Sequence, residues 1–191
     1  MINIIDNFLT DDDFSILRGG ILNNNFPFYI NTGIVENNDV SNNPIWELKN
    51  NTVAYTHVFY SYGKPNSNFF DLLQPILNKI EPTALLRIKC NLYSKTEKIV
   101  EHGYHVDFDH NLENSKTSLF YLNTNNGYTK FEDGTVVESI ENRFVTFSTN
   151  LRHTSSSCTD KQIRSNINFN YYKEAIWYGC LLVTNYYETS F

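Results

Sequence analysis

Four residues that can bind a metal or transfer a proton lie within the segment GYHVDFDH, residues 103–110. In an extended chain His105, Asp107 and Asp109 point to the same side, because side chains alternate along a strand. One face of the segment then carries an imidazole together with carboxylates. The segment alone is also typical of a polar strand end or turn, where His and Asp are common, so the rest of the chain must distinguish the two interpretations.

A third metal ligand has to come from another strand. His153, in STNLRHTSSS, is the only histidine after His110, and it follows the apolar run FVTF. Two imidazoles and one carboxylate form the facial triad that suits non-heme Fe(II) and leaves neighbouring coordination positions open. A structural zinc is more often closed by four protein ligands, frequently thiolates. The pattern therefore favours an open metal site formed by His105, Asp107 and His153.

The segment RSNINFNY, which begins at Arg164, adds a polar strand face. Alternation puts Arg164, Asn166, Asn168 and Asn170 on one side. Amide and guanidinium groups suit the wall of a polar cavity, and Arg can bind a carboxylate with two parallel hydrogen bonds. An outward-facing polar strand explains this segment equally well on its own; next to the proposed triad, the cavity interpretation is favoured.

The elements that position these residues differ between the two halves of the chain. The spacing of apolar residues predicts helices from Thr10 to about Asn23 and from Asn68 to Ile80, the second containing Pro75. From Thr83 onward, short runs rich in β-branched and aromatic residues alternate with Asn, Gly and Asp breaks. About eight such strands in roughly ninety residues predict a mainly β fold, a sandwich or barrel with flanking α-helices packed outside.

The chain length of 191 residues is that of one domain. We expect an N-terminal helical support over about 1–82, a barrel over about 83–172 and a C-terminal tail over 173–191. The Asn-rich stretch from Asn31 to Asn51 is expected to be a loop anchored by Trp46 and Leu48. The apolar tail is expected to dock onto the body or to form a dimer contact, so the protein is a monomer or a homodimer.

Composition excludes several classes of partner. The net charge of −6 and the scattered Arg and Lys residues argue against nucleic acid, and no apolar run is long enough for a membrane span. The start MINIIDNFLTDDD lacks the features of a signal peptide, which favours a cytoplasmic location. Cys90, Cys158 and Cys180 have no C-x-x-C spacing, so we expect buried free thiols.

These residues, in this order, resemble the Fe(II)- and 2-oxoglutarate-dependent dioxygenases, and within them the prolyl-4-hydroxylase-like branch. The resemblance covers most of the C-terminal half, and the opening IIDNFLTDDDF is also similar to the start of these enzymes. The matching features are His105-Val106-Asp107, YLN at 121–123, GYTKFEDG at 127–134, His153 and Arg164.

The resemblance implies a double-stranded β-helix, the jelly-roll or cupin-like barrel. It implies that the triad holds Fe(II) and that 2-oxoglutarate chelates the iron. Arg164 would then pair with the distal carboxylate, assisted by Tyr93, with Asn91 and Asn166 lining the same pocket. The implied reaction consumes O2, releases succinate and CO2, and hydroxylates an unactivated C–H bond of a prolyl residue or a small molecule. Asp107 argues against the halogenases of this superfamily, which lack that carboxylate.

The sequence departs from the family pattern in two places and leaves alternatives open. The family's GGT is GYT here, with Tyr128 as the second residue, and Asn166 stands where some relatives have Ser. His102 and His110 are expected to be exposed neighbours of the triad, not ligands. The alternatives are a non-catalytic cupin-like binding module and a zinc hydrolase in which Asp109 or His110 acts as base.

Overall fold

The computed structural model describes residues 1–31, 54–108 and 112–173. The loop predicted between Asn31 and Asn51, the tail from 174 onward and Cys180 lie outside the described residues. So do Asp109 and His110.

The first predicted helix is confirmed as α1, Asp11–Ile21. The hydroxyl of Thr10 caps it by accepting a hydrogen bond from the backbone N–H of Asp13 at 3.2 Å. The face that carries Phe14, Leu17 and Ile21 is buried. Helix α1 therefore begins and ends close to the predicted positions.

The second predicted helix is divided into a 3-10 helix, Phe70–Leu73, and helix α2, Gln74–Ile80. Pro75 lies in the first turn of α2, where a missing backbone N–H removes no helical hydrogen bond. The proline thus starts a new helix, which explains why the long apolar stripe does not form a single one.

The described residues form a mainly β fold of two antiparallel sheets. The strands are β1 (Asn3–Ile5), β2 (Tyr29–Asn31), β3 (Ala54–Ser61), β4 (Lys64–Pro65), β5 (Ala84–Ser94), β6 (Ser115–Tyr121), β7 (Tyr128–Phe131), β8 (Val136–Glu138), β9 (Phe144–Ser148), β10 (His153–Ser155) and β11 (Ile163–Tyr172). An eight-stranded sheet has the order β1-β9-β6-β11-β5-β3-β2, with β4 paired to β3, and a three-stranded sheet has the order β10-β7-β8. In the described part of the chain, four strands precede Thr83, where the sequence pattern predicts only helices and loop.

The two faces of the large sheet pack against different partners. Its outer face contributes Ile88, Phe120 and Phe169 to an apolar cluster that also contains the buried faces of α1 and α2. Its inner face contributes Leu119 and Phe147 to a second cluster, which joins it to the three-stranded sheet. The helices therefore lie outside the sheets, as predicted.

Among the described residues, none of the helices combines the length and the apolar character that crossing a bilayer requires. Cys90 and Cys158 are buried free thiols, as expected.

Candidate active site

The backbone holds His105 and His153 side by side. His153 begins β10, and His105 pairs with it through an isolated bridge in which the two residues exchange N–H···O bonds of 2.9 and 3.0 Å. Their ring centroids are 4.7 Å apart. Residues 103–108 do not form a continuous strand, so this single bridge brings the histidines together.

Both imidazoles are oriented by a backbone carbonyl two residues earlier. Nδ1 of His105 bonds the carbonyl of Gly103 at 3.1 Å, and Nδ1 of His153 bonds the carbonyl of Leu151 at 2.9 Å. A carbonyl can only accept, so Nδ1 carries a proton, and in a neutral imidazole Nε2 then keeps the lone pair that binds a metal. Burial, together with the neighbouring His153, lowers the pKa of His105, which favours the neutral imidazole that binds metals.

Four donors hold the carboxylate of Asp107, whose side chain is 1% exposed. Thr117 Oγ1 and Asn170 Nδ2 each donate to Oδ2 at 2.9 Å. Asn168 Nδ2 lies 3.2 Å from both oxygens, and Arg87 Nη2 lies 3.3 Å from Oδ1. Asn168 and Asn170 belong to the polar face predicted for β11, so that face does line an interior.

The protonation state of Asp107 also suits a metal ligand. Burial raises the pKa of Asp107, but the neighbouring His153, Lys89 and Arg87 lower the pKa by more, so the group is ionised at neutral pH. One ligand atom from each of His105, Asp107 and His153 lies within 4.8 Å of the other two. Atoms bound at about 2.1 Å from one ion are about 3 Å apart, so a shift of no more than about 1 Å in each ligand atom would bring the three to a shared ion. The three residues thus fit a metal ion.

Arg164 lies on β11 on the same polar face and is fully buried. Its Nε donates to Ser139 Oγ at 2.8 Å and its Nη2 to Thr129 Oγ1 at 3.2 Å. The guanidinium carbon is 5.6 Å from the ring centroids of both Tyr93 and Tyr121. Among the described residues, no acceptor pairs with Nη1 and no carboxylate forms an ion pair with Arg164. A buried cation without an anion is costly, so this arrangement fits a carboxylate ligand.

The glycine that opens the GYT motif makes room for this arginine. A Cβ on Gly127 would lie 2.6 Å from Arg164 Cδ and 2.6 Å from the carbonyl oxygen of Ser157. Tyr128, the residue that departs from the family pattern, instead donates its hydroxyl hydrogen to Glu101 Oε1 at 2.7 Å near the surface. The departure therefore lies at Glu101 and not at the guanidinium, while Gly127 is sterically required.

The remaining predicted pocket residues lie on the same wall. Tyr93 is directly opposite Arg164 in the pairing of β5 with β11, and burial raises the pKa of Tyr93, which keeps its phenol neutral. Asn91 is opposite Asn166 and donates from Nδ2 to Asn166 Oδ1 at 3.2 Å. Both amides are buried. All seven predicted site residues are thus on or next to one polar interior.

His102 was expected to be exposed but is partly buried, with its ring against Tyr93. Its ring centroid lies 4.9 Å from that of Tyr93, and its Nδ1 bonds Ser155 Oγ at 2.7 Å. Its Nε2 is buried without a hydrogen-bond partner among the described residues. Burial, and then the charge of Arg164, lowers the pKa of His102 to about 4. The bridges at Glu101 and His105 redirect the chain between them, which an assumption of regular alternation does not foresee.

Sequence reasoning also missed two cations on β5. Arg87 and Lys89 share the face of Asn91 and Tyr93, since they follow the same alternation along the strand. The pattern RIKCNLY contains this signal, because its polar residues recur at every second position.

Comparisons with solved structures show that the fold is a known one. Neither a protein-family model nor a curated protein sequence matches the chain. A prolyl hydroxylase from Trichoplax adhaerens, in complex with a hypoxia inducible factor peptide fragment, is 16% identical with a TM-score of 0.61, over 90% of this chain and 83% of that one. The non-heme alpha ketoglutarate dependent epimerase SnoN and carbocyclase SnoK, both from nogalamycin biosynthesis, are each 11% identical with TM-scores of 0.59 and 0.58. The matches cover 89% of this chain and 76% and 78% of the two enzymes, respectively. The chain therefore shares the overall fold of these proteins.

Proposed function

We propose that the protein is an Fe(II)- and 2-oxoglutarate-dependent oxygenase with a double-stranded β-helix, which hydroxylates an unactivated C–H bond of a small molecule or a prolyl residue. One observation carries the proposal: a two-histidine, one-carboxylate cluster and a buried, unpaired guanidinium line the same polar interior. Such a pair of features suits a dicarboxylic 2-oxo acid, which can bind a metal at one end and an arginine at the other.

The residues divide into a metal-binding and a co-substrate-binding set. His105 and His153 would bind Fe(II) through Nε2, because Nδ1 of each is held by a backbone carbonyl. Asp107 would supply the negative ligand, oriented by its four donors. Arg164 would pair with the distal carboxylate of 2-oxoglutarate, next to the neutral phenol of Tyr93.

When bound, the iron and 2-oxoglutarate would supply the oxidising chemistry, in which O2 is consumed, succinate and CO2 are released, and one oxygen atom enters the substrate. The protein's own groups prepare this site. The two tyrosine rings beside Arg164 exclude water from the guanidinium, which strengthens a bond to a carboxylate. Asn168 and Asn170 keep the carboxylate of Asp107 in one orientation, in which it would bind the metal.

Succinate formation tests this function. Purified protein with Fe(II) and 2-oxoglutarate in air should form succinate, and His105→Ala and Asp107→Ala should abolish it by removing a ligand. Asp12→Ala is a matched control, since Asp12 is an exposed carboxylate in the first turn of α1, and it should retain the wild-type rate.

Turnover without the prime substrate can be slow, so metal-dependent binding of 2-oxoglutarate is the second readout. No succinate together with no binding of 2-oxoglutarate at any metal loading would overturn the proposal. Retention of zinc through purification, with hydrolysis that proceeds without oxygen, would instead support a zinc hydrolase. Binding of a sugar or partner with no effect of metal on 2-oxoglutarate would support a binding module.

A further inference from the structure

Lys89 lines the polar interior, and neither the proposed metal nor the proposed co-substrate would pair with it. It lies in the middle of β5, directly opposite Asn168 of β11 on one side and Val58 of β3 on the other. Asn168 is one of the donors to Asp107, so Lys89 is next to the metal-binding cluster. Lys89 is partly exposed and Val58 is 37% exposed, so this level of the wall is open to solvent.

The ammonium of Lys89 forms no ion pair in the described part of the chain. No carboxylate there lies within ion-pair distance of it, and no side chain or carbonyl there hydrogen-bonds to it. The nearby acid, Asp107, is already held by Arg87, Thr117, Asn168 and Asn170. Burial lowers the pKa of Lys89 to about 8, with Arg87 acting in the same direction and Asp107 against it, so the side chain is mainly cationic at neutral pH.

Co-substrate is not the partner of this cation. Arg164 is opposite Tyr93, four residues along β5 from Lys89, which corresponds to about 14 Å of strand. A distal carboxylate bound at Arg164 and a proximal one bound at the metal would use the charges of those two groups. Lys89 then remains available to another anion, beside the metal-binding cluster and on the solvent-accessible part of the wall.

A second donor without a partner lies nearby. Thr56 on β3 is two residues from Val58, on the same face, and is opposite Asn91. Its hydroxyl is buried with no hydrogen-bond partner among the described residues. An ammonium and a hydroxyl are the groups that bind a carboxylate in a partly desolvated site.

We propose that Lys89 binds a carboxylate of the prime substrate, so that the protein oxidises free amino acids or acidic side chains, which excludes uncharged small molecules and a prolyl residue within an uncharged peptide. The inference rests on the proposed function and names the substrate class of the same site. Lys89 fixes the carboxylate, which places a nearby C–H bond of the substrate toward the metal.

Binding under argon tests the proposal without turnover. The protein is loaded with Mn(II) and 2-oxoglutarate, and thermal shifts are measured with two sets of probes. The first set is the free L-amino acids against their carboxamides; the second is N- and C-blocked aspartyl and glutamyl peptides against asparaginyl and glutaminyl ones. We expect at least one carboxylate to bind and its amide to bind at least tenfold more weakly. The set in which binding occurs identifies the carboxylate as a free α-carboxylate or a side chain.

Three variants separate charge from structure. Lys89→Met should weaken the binding of the carboxylate at least tenfold, and Lys89→Arg should restore most of the affinity. Lys64 is an exposed lysine of β4, so Lys64→Met should have no effect. The affinity of Lys89→Met for 2-oxoglutarate should stay within threefold of wild type, which separates substrate binding from co-substrate binding. Equal binding of amides and carboxylates, no binding in either set, or unchanged affinity in Lys89→Met would overturn the inference. If wild type itself shows no Mn(II)-dependent binding of 2-oxoglutarate, the proposed function fails instead.

Discussion

Replacing Arg164 with Met should affect the stability of the metal-free protein and the binding of 2-oxoglutarate very differently. The variant loses the hydrogen bonds to Ser139 and Thr129, each contributing about 1.5–3 kcal/mol because the donor is charged. It also removes a fully buried cation that has no anionic partner among the described residues, a burial that costs several kcal/mol. Met fills the space of the arginine stem. We therefore expect the free energy of unfolding to change by less than about 2 kcal/mol.

The binding of 2-oxoglutarate has no such compensation. Two parallel charge-assisted hydrogen bonds from Arg164 to the distal carboxylate contribute about 3–6 kcal/mol, and Met supplies neither. The dissociation constant should therefore rise about 10²- to 10⁴-fold.

Two measurements check this expectation. Urea denaturation of the metal-free protein gives the free energy of unfolding, and calorimetric titration of 2-oxoglutarate under argon, with Mn(II) in place of Fe(II), gives the dissociation constant. Arg152→Met is the matched control, since Arg152 is a half-exposed arginine that pairs with Glu132, and it should bind 2-oxoglutarate as wild type does. A loss of more than about 4 kcal/mol of stability with unchanged affinity would refute the reasoning, because Arg164 would then be a structural residue only.

Three further predictions test the surroundings of the site. Gly127→Ala should cost about 1–3 kcal/mol of stability and weaken the binding of 2-oxoglutarate, because the added Cβ meets the side chain of Arg164 and a backbone oxygen. Gly19→Ala, where a Cβ would meet no atom within 4 Å, should instead stabilise α1. Denaturation measures the stability of both variants, and calorimetry measures their affinity for 2-oxoglutarate. The pKa of His102 is lowered to about 4, so between pH 6.5 and pH 4 only the unfolded chain takes up a proton at this residue. The free energy of unfolding of the metal-free protein should therefore fall by up to about 3 kcal/mol over this range. His102→Gln should reduce this dependence in a pH series of denaturation curves. The hydrogen bond from Arg143 lowers the pKa of Asp6, so Asp6→Asn should cost at most about 1 kcal/mol at pH 7, and in the same series the difference from wild type should shrink as the pH falls below 3.8, the usual pKa of Asp.

The residues proposed to bind the metal and the co-substrate could be found from the sequence because local rules govern them. The alternation along β11 put Arg164, Asn168 and Asn170 on one face, and the structure lines the interior with that face. The same rule applied to β5 would have added Lys89. His102 could not be found in this way, because two isolated bridges, not a regular strand, set its direction.

Strand β1 was missed for a different reason. Strand β1 has three residues, and it exists because it pairs with β9, which lies far along the chain. A strand this short carries no pattern of its own, so only the tertiary partner defines it. The division of the second helix is also tertiary in part, although Pro75 marked the place where it occurs.

The proposed function requires one metal ion that binds His105, Asp107 and His153 and leaves coordination positions free for 2-oxoglutarate. Anaerobic titration of 2-oxoglutarate, with and without Fe(II), measures this directly. If 2-oxoglutarate binds to the protein-bound Fe(II), each of the two must strengthen the binding of the other by the same factor. We expect at least tenfold tighter binding of 2-oxoglutarate with Fe(II), and loss of that enhancement in His153→Ala. Equal affinity with and without Fe(II) in the wild-type protein would contradict the account.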